Sequence, residues 1–133
     1  DGAWYYFDSS GYAVTGWQQI KDKWYYFNSD CKMVTGWINI NEKWFYLAPK
    51  DGALYHSGVF EIDGKTYYFD TDGVMRTGWV QVNDDWQYFN TDGSRVDKGI
   101  VKGDNIYIIK DGKLVVDDKV EVAANKSGEI TVV

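Results

Sequence analysis

The sequence predicts an all-β fold: a solenoid of tandem β-hairpins, each about 20 residues long. Three observations predict it. Gly16, Gly36, Gly58, Gly78 and Gly99 recur at intervals of 20, 22, 20 and 21 residues, and a period of this size marks supersecondary units that lean on their neighbours. Each interval holds two short runs of β-branched and aromatic residues around a polar turn, the signature of a hairpin. Aromatic residues make up 18% of the 133-residue chain, more than a compact core of that size hides, which points to aromatic surface.

The first unit is the second half of a repeat, with Trp4-Tyr5-Tyr6-Phe7, Gly11 and Thr15-Gly16. The second opens on Trp17 and carries Trp24-Tyr25-Tyr26-Phe27. The third opens on Trp37 and carries Trp44-Phe45-Tyr46-Leu47. In the fourth, Val59 and Thr66 stand where the others have tryptophan, followed by Tyr67-Tyr68-Phe69. The fifth opens on Trp79 and carries Trp86-Gln87-Tyr88-Phe89. Residues 1–99 are thus read as regular repeats, and residues 100–133 as degenerate ones with a C-terminal cap; Ile106-Tyr107-Ile108-Ile109 is the last aromatic run, and the tail from Val120 alternates weakly.

Asp63-Gly64 is a strong signal for a two-residue type I′ turn, with Lys21-Asp22, Asn41-Glu42 and Asn83-Asp84 as counterparts. That turn fixes register: Ile62 faces Lys65 and Phe60 faces Tyr67. Side chains alternate along a strand, so the second unit puts Ile20, Tyr25 and Phe27 on one face and Trp17, Trp24 and Tyr26 on the other. A lone hairpin is marginal in water; stacking lets one face build a continuous core while the other lies against the next unit or borders a groove. Gly11, Gly52, Gly73 and Gly93 recur in the linkers at positions that call for positive φ. Cys31 replaces that glycine in the second unit, which implies mild strain or an altered turn.

The net charge of −6 argues against a nucleic-acid or anionic-membrane partner, since phosphate neutralisation dominates such affinity. It suits a neutral or cationic ligand, or simply keeps an aromatic surface soluble. The single cysteine allows no internal disulfide and does not place the compartment. The chain starts partway through a repeat, which reads as a domain of a longer protein. No catalytic constellation is visible: His56, the only histidine, reads as a loop residue, and the acidic residues at Asp63, Asp70, Asp72, Asp84, Asp85, Asp117 and Asp118 read as turn formers. Asp70-Thr71-Asp72-Gly73 lacks the bidentate glutamate spacing of a calcium loop. Neither a cofactor nor a metal is expected.

Gly16-Trp17, Trp24-Tyr25-Tyr26-Phe27, Met33 and Thr35-Gly36-Trp37, with the linker repeated at Gly73-Val74-Met75-Arg76-Thr77-Gly78-Trp79, resemble the choline-binding or cell-wall-binding repeat of Gram-positive surface proteins and lytic enzymes. The resemblance implies a left-handed superhelix of hairpins with ligand sites between successive units. It further implies a secreted, non-catalytic module that binds choline or phosphocholine on teichoic acid and anchors an attached catalytic or adhesin domain to the cell wall. Two tryptophans of one repeat and the tyrosine at the third position of the next repeat's Trp-Tyr-Tyr run would wall each site. Carried onto this chain, one cage is Trp17, Trp24 and Tyr46 with Met33 nearby, and a second is Trp37, Trp44 and Tyr68. A third starts with Trp79 and Trp86 but meets Ile108 where the tyrosine belongs. Trp4 and Tyr26 would belong to a cage whose first tryptophan lies upstream, and none is expected at Val59 and Thr66.

The chemistry fits. A quaternary ammonium has no N–H to donate, whereas ring faces attract it through cation–π contacts. Two alternatives stay open: related aromatic repeats occur in glucan-binding regions of glucansucrases and in clostridial toxins, and Gln19, Asn39 and Gln81, two residues after their tryptophans on the same face, either meet sugar hydroxyls or are plain solvated positions. In a purely structural spacer the tryptophan pairs would instead be buried between units. Tyr25, Phe27, Phe45, Leu47, Tyr67 and Phe69 read as core.

Overall fold

The computed structural model describes residues 2–102, 106–115, 122–124 and 130–132, and every described element is a strand or turn. Asp117, Asp118, Val120 and Glu121 lie outside the described residues. Four hairpins follow one another: β1 (Gly16–Ile20) with β2 (Lys23–Phe27), β3 (Gly36–Ile40) with β4 (Lys43–Leu47), β5 (Gly58–Ile62) with β6 (Lys65–Phe69), and β7 (Gly78–Val82) with β8 (Asp85–Phe89). β9 (Gly99–Lys102), β10 (Ile106–Lys110) and β11 (Lys113–Leu114) form a three-stranded sheet in the order β11-β10-β9, and β12 (Val122–Ala124) pairs with β13 (Ile130–Val132). Tandem all-β hairpins are what the glycine period predicts.

The two-residue turns hold as read. Lys21 and Asp22 have φ of 52° and 70°, Asn41 and Glu42 54° and 67°, Asp63 and Gly64 52° and 81°, Asn83 and Asp84 50° and 71°. Two successive left-handed residues make the type I′ turn, whose twist matches the flanking strands. The predicted register follows: Trp17 lies across from Tyr26, Trp37 from Tyr46, Phe60 from Tyr67 and Trp79 from Tyr88.

The last aromatic position of each unit forms the core. Phe27, Leu47, Phe69, Phe89 and Ile109 are 0–3% exposed, each burial contributing about 1.5–3 kcal/mol. The linkers close on themselves through an Asx turn: the Asp70 carboxylate accepts from the Asp72 and Val74 N–H groups at 2.9 and 3.0 Å, and Asp8 and Asn28 repeat the pattern. The linker then bonds backward. The Met33, Leu54, Met75 and Arg95 N–H groups donate at 2.8–2.9 Å to the carbonyls of Trp4, Trp24, Trp44 and Thr66 in the preceding unit. One linker residue per unit is thereby fixed beside the second tryptophan position of the unit before it.

The same linker residue packs forward onto a glycine. A Cβ built on Gly52 would lie 2.6 Å from Met33 Sδ, on Gly73 2.5 Å from Leu54 Cδ2, on Gly93 2.2 Å from Met75 Sδ and on Gly112 2.6 Å from Arg95 Cζ. Cys31 occupies the glycine position with φ 65°, so the turn is unchanged and the residue sits in the left-handed region. Its backward partner is the smallest linker residue, Ala13, whose carbonyl lies 3.8 Å from the thiol sulfur.

Candidate functional site

Alternation along each strand decides what meets between hairpins. The two tryptophan positions and the third position of the aromatic run share the face that looks toward the next unit. The second and fourth positions look back toward the unit before. Trp17 therefore meets Phe45, Trp37 meets Tyr67 and Trp79 meets Tyr107, each with ring centroids 4.9 Å apart and planes at 64–69°. The three junctions are geometric copies of one another.

At the first cage, a cavity of about 430 Å³ is lined by Trp17, Trp24, Phe45 and Leu54, with Lys43, Thr71 and Asp72 among the polar residues. At the second, a cavity of about 350 Å³ is lined by Trp37, Trp44, Tyr67 and Met75, with Thr91 and Asp92 as its polar side. A third set consists of Trp79, Trp86 and Tyr107, with Leu114 across the ladder from Ile109 at the position that Leu54 and Met75 hold in their units. An N-terminal site of about 350 Å³ gathers Trp4, Tyr25, Met33 and Asp51. Within each pair the first tryptophan is half-buried, whereas Trp24, Trp44 and Trp86 are 39–44% exposed. The spacer reading required both to be buried; one indole of each pair faces solvent.

These placements correct the expected walls. Neither Tyr46 nor Tyr68 lines the cavities described at the first two tryptophan pairs, where Phe45 and Tyr67 stand instead. Tyr46 is 8% exposed and lies across its own ladder from Trp37, with ring centroids 5.0 Å apart, and 5.0 Å from Tyr55. Burial, followed by the neighbouring Tyr55 and Asp63, raises its phenol pKa. Tyr68 looks forward to Phe89, 6.2 Å away. Phe45 and Tyr67, read as core, pack on a tryptophan and wall a cage at the same time. Met33 lies with Trp4 and Tyr25, not with Trp17 and Trp24; Leu54 takes its expected place. The Trp4 site is walled by Tyr25, since Tyr26 pairs with Trp17 at 5.0 Å. At the third pair Tyr107 packs 4.9 Å from Trp79, whereas Ile108 is the residue expected at the open wall. Gln19, Asn39 and Gln81 are exposed across the ladder from Trp24, Trp44 and Trp86 and line none of the described cavities.

The fourth junction differs at every equivalent position. Val59 and Thr66 replace the tryptophans, buried Gln87 replaces the second-position ring, and Arg95 replaces the linker Leu or Met. Arg95 Nη1 donates to Gln87 Oε1 at 3.2 Å and its Nε to Asp97 at 2.9 Å.

The rim carboxylates were missed by reading the acidic residues as turn formers only. Asp51, Asp72 and Asp92 each line a cavity from the linker two units beyond the tryptophans. The Ser94 hydroxyl and N–H donate to Asp92 at 2.6 and 2.8 Å; these bonds, with the Lys65 ammonium adding to them, hold its carboxyl below the usual range. A negative rim around ring faces is complementary to a cation without N–H groups.

Comparison with known proteins agrees with the tandem-hairpin fold. The choline-binding repeat matches residues 14–58 and 56–96, and a cell wall binding repeat matches residues 1–13. Choline binding protein F of Streptococcus pneumoniae is 35% identical over 97% of this chain and 44% of its own, with a TM-score of 0.79. CbpJ of Streptococcus pneumoniae TIGR4 is 34% identical over 98% of this chain and 46% of its own, with a TM-score of 0.81. The choline-binding domain of Spr1274 from Streptococcus pneumoniae is 32% identical over 62% of this chain and 95% of its own, with a TM-score of 0.54. No curated protein sequence matches. The fold and the aromatic clefts between hairpins define a tandem hairpin-repeat module. The chain belongs to the choline-binding repeat family, and it spans less than half the length of choline binding protein F and CbpJ.

Proposed function

We propose that this chain is a non-catalytic anchoring module whose aromatic cages hold the trimethylammonium head of choline carried on cell-wall teichoic acid, tying an attached protein to the surface of a Gram-positive bacterium. The observation that carries the reading is the repeated set of two tryptophans, a third ring from the next hairpin and an apolar linker residue, open to solvent and rimmed by a carboxylate. Nothing in that set donates a hydrogen bond from a ring face, which is the chemistry a quaternary ammonium needs. Each ring contributes about 0.5–2 kcal/mol. Three rings then reach a few kcal/mol, and about −4 kcal/mol corresponds to a millimolar Kd. One cage is weak; several on one array gain by avidity against a polymer bearing many cholines, which gives the repetition its purpose.

Tryptophan fluorescence titration tests this, with choline set against its uncharged carbon isostere, 3,3-dimethylbutan-1-ol. Choline is expected to shift emission at millimolar concentration and to raise the melting temperature, since it binds the folded state. Equal responses to both compounds would show apolar filling without cation recognition and would defeat the proposal.

A further inference from the structure

We propose that Lys43 is a specificity-determining residue of the first cage, where its ammonium takes a phosphate esterified to the same choline whose trimethylammonium lies between the rings. The inference rests on the cage reading and deepens it: the first cage selects the zwitterion phosphocholine, and the second takes the choline head without regard to the phosphate. The two cages make a matched comparison. Trp17, Trp24, Phe45 and Leu54 of the first correspond to Trp37, Trp44, Tyr67 and Met75 of the second. Thr71 and Asp72 correspond to Thr91 and Asp92, so the one charged difference between the two linings is Lys43.

The counterpart of Lys43 is Lys65. Each opens the second strand of its hairpin, Lys43 across from Ile40 and Lys65 across from Ile62. Lys65 lies 4.0 Å from Asp92 and lines none of the described cavities. Asp92 also accepts from the Ser94 hydroxyl at 2.6 Å; Val74 holds the matching place after Asp72 and has no hydroxyl to give. Lys43 makes no ion pair among the described residues. A cation therefore suits both cages, whereas a ligand that joins a cation to an anion finds a partner for each charge in the first. In phosphocholine a short ethylene link holds the phosphate at the mouth of the cage that takes its head. Lys43 also lines the adjoining cleft of about 450 Å³, which shares Asp72 and Val74 with the first cage. There Arg76 is committed to Asp70, with Nε and Nη2 at 2.8 and 2.7 Å from one carboxylate oxygen. Lys43 is thus the cleft's one basic side chain outside an ion pair, and a compact ammonium on a flexible stem meets a phosphate as a point charge. The neighbouring carboxylates of Glu42 and Asp72 and the open setting keep the gain to that of an exposed ion pair.

The test titrates choline and phosphocholine separately into the whole chain at neutral pH and follows indole N–H groups by NMR, Trp24 for the first cage and Trp44 for the second. The preference for phosphocholine over choline is expected to be about two- to five-fold greater at Trp24 than at Trp44. Lys43→Gln is expected to weaken phosphocholine at Trp24 by the same factor. Both affinities at Trp44 stay at the wild-type values in that variant, which also reports that the fold is intact. Inorganic phosphate added to the choline-bound chain is expected to leave Trp24 unmoved. Equal preferences at the two cages would overturn the inference. So would a variant in which choline tightens at Trp24 while phosphocholine is unchanged, because Lys43 would then only repel the cation. A saturable Trp24 shift with inorganic phosphate would also overturn it, by assigning the contact to a phosphate that the bound choline does not carry. Silence of Trp24 towards both choline compounds would sink the cage reading itself, and this inference with it.

Discussion

Two neighbouring tyrosines with opposite orientations separate the register argument from every looser account of these repeats. Tyr67 walls the second cage, 4.9 Å from Trp37, while Tyr68 faces the fourth junction, 6.2 Å from Phe89. Tyr67→Leu removes the ring face and keeps an apolar side chain in the packing. The lost cation–π contact is about 0.5–2 kcal/mol, a 2- to 30-fold rise in Kd at that cage at about 1.4 kcal/mol per decade. Tyr68→Leu removes the same ring one position on, and the expected change at the second cage is less than about two-fold. The seven tryptophans each carry an indole N–H, so NMR titration with choline reads the cages one at a time, Trp44 for the second and Trp24 for the first. Trp24 is the internal control and keeps its affinity in both variants. A larger loss at Trp44 from Tyr68→Leu than from Tyr67→Leu would refute the assignment of walls by strand alternation.

Two further outcomes follow from the linkers. Because its folded-state carboxyl lies below the ordinary range, Asp92 adds stability that is complete above its unfolded-state pKa and is lost as pH falls through the lower folded value; Ser94→Ala removes the hydroxyl hydrogen bond that does most to lower it, so loss of choline affinity at Trp44 on acidification is expected at higher pH than in wild type, and an unchanged pH profile would exclude Asp92 from the rim's charge. Ala13→Met is expected to cost about 1–3 kcal/mol by overpacking against Cys31 and to be tolerated in a Cys31→Gly background; urea denaturation of the cycle should give a coupling of about 1 kcal/mol or more, and simple additivity would rule out the contact.

Most of the fold was legible because the signals are local. A glycine period sets the units, and each turn dipeptide sets a register that alternation then converts into faces. The cage walls were legible too, but from a different line than the one that assigned them. The register read from Asp63-Gly64 already put Tyr25 and Phe27 on the face opposite Trp17, Trp24 and Tyr26. If the tryptophan face looks toward the next hairpin, the wall that meets it must come from that hairpin's other face, hence Phe45, Tyr67 and Tyr107. The family resemblance pointed instead to Tyr46 and Tyr68, which share a face with their own unit's tryptophan positions. The resemblance suggested the kind of ligand, and the strand geometry assigned the residues that line the cavities. The rim carboxylates had no local signal. Asp72 and Asp92 sit in polar loops suited to turn formation, and only the stacking of a third unit brings them to tryptophans more than 40 residues earlier in the chain.

That three-unit reach explains why the linkers vary in matched pairs. Each linker side chain is pinned backward by its N–H to the previous unit's second tryptophan position, and it fills the space over the next unit's linker glycine. The glycine is needed for two reasons, positive φ and the absence of a Cβ, and the pairs show which reason is negotiable. Met33, Leu54, Met75 and Arg95 all face glycine, and the one unit that gives up its glycine, at Cys31, is the one whose backward neighbour is alanine. Cys31 keeps φ at 65°, so the left-handed turn is retained at a strain of about 1–3 kcal/mol, while the steric demand is met by shrinking the partner. Where that residue is Met33, Leu54 or Met75 it also lines the cavity behind it. A change at a linker glycine therefore acts on an aromatic cavity whose tryptophans lie two units back, through a side chain that touches both.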